Sequence, residues 1–87
     1  MKILWHPSAW DEYVHWQTAD RKVLKRINTL IKDIQRGEDG GIGKPEPLRG
    51  DLSGWASRRI NEEHRLVCRI AADRLEIVSC RYHYAEK

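Results

Sequence analysis

All six glycines and two of the three prolines fall within residues 37 to 54. No long regular element survives that density. Glycine loses the most backbone entropy on folding, and proline removes a helix or ladder hydrogen bond. The chain is thereby cut into a front part with helical spacing and a rear part that alternates. At 87 residues neither part has enough interior to stand alone, so both should share one core as a single domain over 1–87.

In the front part, residues 2–6 form a short apolar stretch that stops at Pro7 and reads as a strand. Ser8 precedes Asp11 at capping-box spacing, and Trp10, Tyr13, Val14 and Trp16 follow at helical offsets. Asp20 is a second candidate cap. Behind it Val23, Leu24, Ile27, Leu30, Ile31 and Ile34 make the clearest period of the sequence, with Lys and Arg on the other side and Gly37 as the stop. This predicts a helical hairpin whose apolar stripe faces a sheet. In the rear part, residues 55–60, 65–70 and 75–82 read as three strands with short connections, hence an antiparallel meander. The fold class expected is α+β: an N-terminal strand and helical hairpin packed on a twisted, mainly antiparallel sheet.

Several function classes drop out. The chain has 16 basic and 13 acidic residues, a net +3, and no apolar run near the roughly 18 residues that span a bilayer. Its first residues lack the extended apolar stretch of a signal peptide. Cys68 and Cys80 lie in alternating apolar runs, as buried thiols of a reducing cytoplasm do. His6, His15, His64 and His83 form no ligand cluster with them, so neither metal nor other cofactor is expected.

Period-two sorting of the strands leaves Arg59, Arg65, Arg81 and His83 as candidates for the face away from the helices. Beside that face lies Lys44-Pro45-Glu46-Pro47-Leu48, where two prolines hold Glu46 in an extended, low-entropy segment. Clustered guanidinium groups, an imidazole and a tethered carboxylate suit a phosphodiester. Cleavage of RNA by its own 2′-hydroxyl would employ all three, with Glu46 as base, His83 as acid and Arg65 as phosphate clamp, assisted by Arg59 or Arg49. Ionised base and protonated acid are needed together, so the rate should rise and fall with pH. Trp55, Tyr82 and Tyr84 are expected near that site, and single-stranded RNA is held by stacking unpaired bases on such rings. The plainer alternatives are a solvated strand face whose arginines pair with Glu62, Glu63 and Glu76, and a Trp55 packed in the core.

The blocks Ser8-Ala9-Trp10-Asp11-Glu12-Tyr13, Lys44-Pro45-Glu46-Pro47-Leu48, Glu62-Glu63-His64-Arg65-Leu66-Val67 and Arg81-Tyr82-His83-Tyr84 resemble the YoeB-type toxins of the RelE-like toxin–antitoxin superfamily. The resemblance covers nearly the whole chain. It implies a RelE-like fold and a ribosome-dependent endoribonuclease that cuts messenger RNA in the ribosomal A site. Glu46 falls on the family's general base, His83 on its general acid, Arg65 on its phosphate-stabilising arginine and Tyr84 on a substrate-orienting tyrosine. Lys44, Arg49, Trp55, Arg59, Glu63 and Arg81 are the expected RNA contacts around them. The implied partners are a cognate acidic, YefM-like antitoxin, the ribosome with its mRNA, and a second copy in a homodimer. Three features depart from the family pattern. Arg49 stands where lysine is frequent, Cys68 where tyrosine is common, and residues 85–87 extend past the usual terminal tyrosine. Two other classes compete: a gyrase-binding ParE-like toxin, which shares the architecture but not the Glu/Arg/His/Tyr set, and a non-catalytic RNA- or antitoxin-binding module.

Overall fold

The computed structural model describes residues 1–37 and 41–82. The strand β1 (Lys2–Trp5) runs straight into helix α1 (Pro7–Ala19), and α2 (Arg21–Arg36) follows after one residue. The rest is β2 (Glu46–Pro47), a 3-10 turn at Gly50–Leu52, β3 (Ala56–Arg59), β4 (Arg65–Ala71) and β5 (Arg74–Ser79).

The start of α1 differs from the sequence reading. His6 is the N-cap and Pro7 the first helical residue, with no side-chain cap. A proline at that position has no N–H to satisfy and a preset φ, so no Ser8 capping box is required. The His6 N–H still donates to Ile77 O at 2.9 Å, so the strand passes into the helix without a loop. Asp20 behaves as expected. Its carboxylate accepts from Lys22 N at 2.9 Å and Val23 N at 3.2 Å, while its own N–H closes α1 on Trp16 O. Gly37 ends α2 with φ 72°, the left-handed conformation that glycine adopts without penalty.

The sheet order is β1-β5-β4-β3-β2. The meander is antiparallel, but β1 pairs parallel with β5, from Lys2 opposite Arg74 to Trp5 opposite Ile77. A parallel edge needs a long crossover, and the helical hairpin plus the meander supply it. Val23, Ile27, Leu30, Ile31 and Ile34 of α2 pack with Trp16, Leu66, Cys68, Leu75, Ile77 and Cys80 in one buried cluster. Trp10 and Val14 of α1 stay largely exposed, so α1 contributes less to this core than its aromatic content suggests.

The alternation of β5 is interrupted. Val67 lies opposite Ser79 but Cys68 lies opposite Ile77, so Val78 is an extra residue, a β-bulge. That is why Ile77 and Cys80, three apart, both point into the helix-side core. Leu48 and Val67 are buried outside the cluster that packs on the helices, so the opposite face is partly covered too.

Candidate active site

The register sets the site. Glu46 lies opposite Ser57, Ser57 opposite Val67, and Arg59 opposite Arg65. Cross-strand partners share a face, and so do residues two apart on one strand. Glu46, Arg59 and Arg65 therefore stand on the sheet face away from α1 and α2. Strand spacings of about 4.8 Å and rises of about 3.4 Å per residue put the Glu46 and Arg65 backbones about 12 Å apart.

Each of the two groups has a fixed mount. Glu46 is exposed on the edge strand, where its proline neighbours cost no ladder bond on the outer side. The loop before it is pinned at its root. Asp33, buried on α2, accepts from Arg58 Nη1 at 2.7 Å and from Ile42 N at 3.0 Å, while Arg58 Nη1 also donates to Ile42 O at 3.1 Å. The Arg58 hydrogen bond is the main cause holding the Asp33 carboxyl below the usual range, against the opposing effect of burial. Gly43 then passes so close to the helix–sheet seam that a Cβ there would meet Leu30 Cδ2 at 2.8 Å, and its φ is 84°. Its carbonyl accepts from Arg59 N at 2.7 Å.

Arg65 is tethered by its own turn. Its Nη1 donates to Asn61 O at 2.6 Å, His64 O at 3.0 Å and Glu62 O at 3.3 Å. Asn61 in turn accepts at its side-chain oxygen from Glu63 N at 2.9 Å and His64 N at 2.7 Å. A guanidinium anchored at one nitrogen is already aimed, and its rotamer entropy is spent before any ligand arrives.

The other expected contacts divide. Lys44 and Arg49 are exposed beside Glu46, Lys44 in a left-handed conformation with φ 50°. Glu63 is exposed, with its Oε1 3.7 Å from His64 Nε2. Trp55 is half-buried. Arg69 lies over its ring at 4.4 Å and His6 meets its edge at 5.7 Å, so one ring face is occupied by a cation. Arg81, expected on the open face, instead places its guanidinium over the rings of Tyr82 at 4.9 Å and Trp16 at 5.9 Å. Past the bulge the backbone is no longer extended, and Tyr82 has φ 60°. His83, Tyr84 and the 85–87 extension lie outside the described residues.

Charged positions that the sequence reading used only as surface partners, or not at all, organise the same face. Glu76 is buried there, 3.2 Å from Arg69 Nη2, 3.3 Å from Arg74 Nε and 3.5 Å from His6 Nε2. Burial pushes its pKa up, yet the three donors together outweigh that and leave it below the usual range. The parallel pairing of β1 with β5 brings His6 to it. Asp33 and Arg58 escaped notice because one reads as a polar helix residue and the other as a strand cation; their encounter is tertiary.

A helical hairpin laid on a five-stranded mixed sheet that includes the N-terminal strand is the architecture of the small RelE-like toxins. The model of the YoeB-like toxin of bacterial type II toxin–antitoxin system matches residues 5–84. Toxin YoeB of Escherichia coli K12 is 54% identical over 84 residues, 97% of this chain and 100% of that protein. Toxin YoeB of Streptomyces coelicolor is 57% identical over the same shares. Among solved structures, the YoeB/ParE toxin from Agrobacterium tumefaciens superposes with TM-score 0.92 at 48% identity, covering 97% of this chain and 100% of that one. The YoeB-YefM complex from Staphylococcus aureus gives 0.88 at 46% identity, covering 97% and 98%. The chain belongs to the YoeB-like toxins of bacterial type II toxin–antitoxin systems.

Proposed function

We propose that this toxin is a ribosome-dependent endoribonuclease of the cytoplasm that cuts mRNA in the ribosomal A site without using a metal. Glu46 takes the proton of the 2′-hydroxyl, whose oxygen attacks the adjacent phosphorus. Arg65, assisted by Arg59, stabilises the charge that builds on the phosphorane oxygens. His83 gives its proton to the departing 5′-oxygen, and Tyr84 orients the substrate. The products are a 2′,3′-cyclic phosphate and a 5′-hydroxyl. Each proton transfer is worth about 10²–10⁴-fold, and pre-aimed charge commonly more. The observation that carries this reading is the register, in which Glu46 and the Arg59–Arg65 pair share the sheet face away from the helices.

Partner assignments rest on relatives. The S. aureus toxins were solved as a YoeB-YefM complex and as a YoeB dimer. By that likeness this chain is held silent by an acidic antitoxin and pairs with a second copy of itself. A +3 toxin suits an acidic segment that folds on contact. Replacing Glu46 or His83 by alanine should relieve growth arrest and abolish 5′-ends within translated regions, with the circular dichroism spectrum unchanged. Full cleavage by either folded variant would remove its assignment. Loss of gyrase supercoiling on addition of the purified toxin would favour the gyrase-directed reading instead.

A further inference from the structure

The segment that leads to residue 83 is held by side chains that take no part in the chemistry above and by the backbone N–H of Arg65. Cys80 N donates to Glu12 Oε1 at 2.8 Å, and Trp16 Nε1 donates to Cys80 O at 3.0 Å, both from α1. Two residues on, Tyr82 N donates to His64 Nδ1 at 2.7 Å, and Tyr82 O accepts from Arg65 N at 3.0 Å. All four backbone polar groups of Cys80 and Tyr82 are thus fixed from outside the segment that follows β5. The conformation they fix is costly, since Tyr82 carries φ 60° without being glycine.

His64 is the member of this set that is a buried polar residue. It is buried, with Trp16 against its ring at 4.7 Å and Tyr82 at 5.4 Å. A backbone N–H can only donate, so Nδ1 offers a lone pair and the ring proton sits on Nε2, the nitrogen nearest Glu63 Oε1. An apolar residue would fill the same space against Trp16 and leave the Tyr82 N–H without an acceptor. His64 also stands beside Arg65, so one turn mounts the phosphate clamp and pins the approach to the acid.

We propose that His64 is a positioning residue for the reaction: its Nδ1 lone pair fixes the backbone of Tyr82, the residue that precedes the proposed acid in sequence. The proposal rests on the reading of His83 as general acid. Displacement of a reacting group by about 1 Å can cost about 10²-fold, which sets the scale of the effect.

The test compares H64L, H64N and H64Q in single-turnover cleavage on programmed ribosomes, alongside toxin binding to the same ribosomes. Asparagine carries an oxygen at the bond distance of Nδ1, whereas glutamine carries it one bond further out. The expected result is that H64L and H64Q cleave about 10²-fold more slowly at unchanged binding, and that H64N restores most of the rate. Hydrogen exchange should find the Tyr82 amide protected in the wild type and H64N and unprotected in H64L. H64L cleaving at the wild-type rate, or H64N as slow as H64L, overturns the proposal. If H64L does not fold, the H64N and H64Q pair decides in the same way. His83→Ala cleaving at the wild-type rate while the Tyr82 amide stays protected overturns it through the acid assignment, not through the clamp.

Discussion

Glu46, the proposed base, is stiffened by its neighbours Pro45 and Pro47. Proline on both sides removes backbone states from the unfolded chain, so little entropy remains to be lost when the carboxylate is placed. The same logic at Arg65 is enthalpic: three carbonyls of its own turn hold one guanidinium nitrogen. The two cysteines show the opposite case, a reactive residue type made inert. Burial raises the Cys68 thiol to about 11, with Arg58 opposing, and the Cys80 thiol to about 12, with Glu12 adding to the effect. Neither can offer a thiolate near neutral pH. Both should therefore resist a thiol reagent at pH 8 until the chain unfolds, and mass spectrometry after timed labelling reads this directly. Modification at the rate of a free peptide cysteine would contradict their burial. At this scale the strand faces were legible: alternation put Arg59 on the sheet face away from the helices, and the register agrees. The sequence was silent on His64 and Asp33, whose importance lies in what they touch.

Elements decide whether these residues meet. The glycine-rich loop carries Glu46 to the sheet edge only if it can pass between Leu30 and β3. Gly43→Ala should cost about 1–3 kcal/mol of stability from the left-handed backbone alone, and should slow cleavage further by displacing β2. A denaturant midpoint equal to wild type would refute that close passage. Asp33→Ala should open the same loop from its other end by removing the acceptor shared by Arg58 and Ile42. The expected signature is lost amide protection at Ile42 together with reduced cleavage; unchanged protection would show the loop to be held elsewhere. The helical hairpin and the meander were legible because hydrophobic period and turn residues are local signals. The bulge at Val78 was not, since its cause is the need to bury Ile77 and Cys80 against the same helices. The parallel pairing of β1 is likewise invisible in residues 2–6 alone.

Taken whole, the molecule is two layers, and the two buried carboxylates among the described residues stand on opposite sides of the sheet. Asp33 fastens the helix layer to β3, and Glu76 gathers His6, Arg69 and Arg74 on the other face. Both are more acidic folded than unfolded. Their contribution is therefore complete above the ordinary carboxylate range near about 4 and is lost as pH falls through the lower folded-state values. The urea midpoint should hold steady from neutral pH down to about 5 and decline below about 4. Glu76→Gln should make that decline shallower, and an unaltered acid limb in the variant would show that Glu76 gains nothing from its partners on folding.

In the proposed reaction one carboxylate removes a proton and one imidazole supplies another across a single phosphodiester. Substituting sulfur for the bridging 5′-oxygen at the scissile position isolates the second event, because a thiolate leaves without being protonated. On ribosomes programmed with such an mRNA, His83→Ala should regain cleavage close to the wild-type rate, whereas Glu46→Ala should stay inactive. Failure of the sulfur substrate to rescue His83→Ala, or equal rescue of both variants, would contradict the assignment of acid and base.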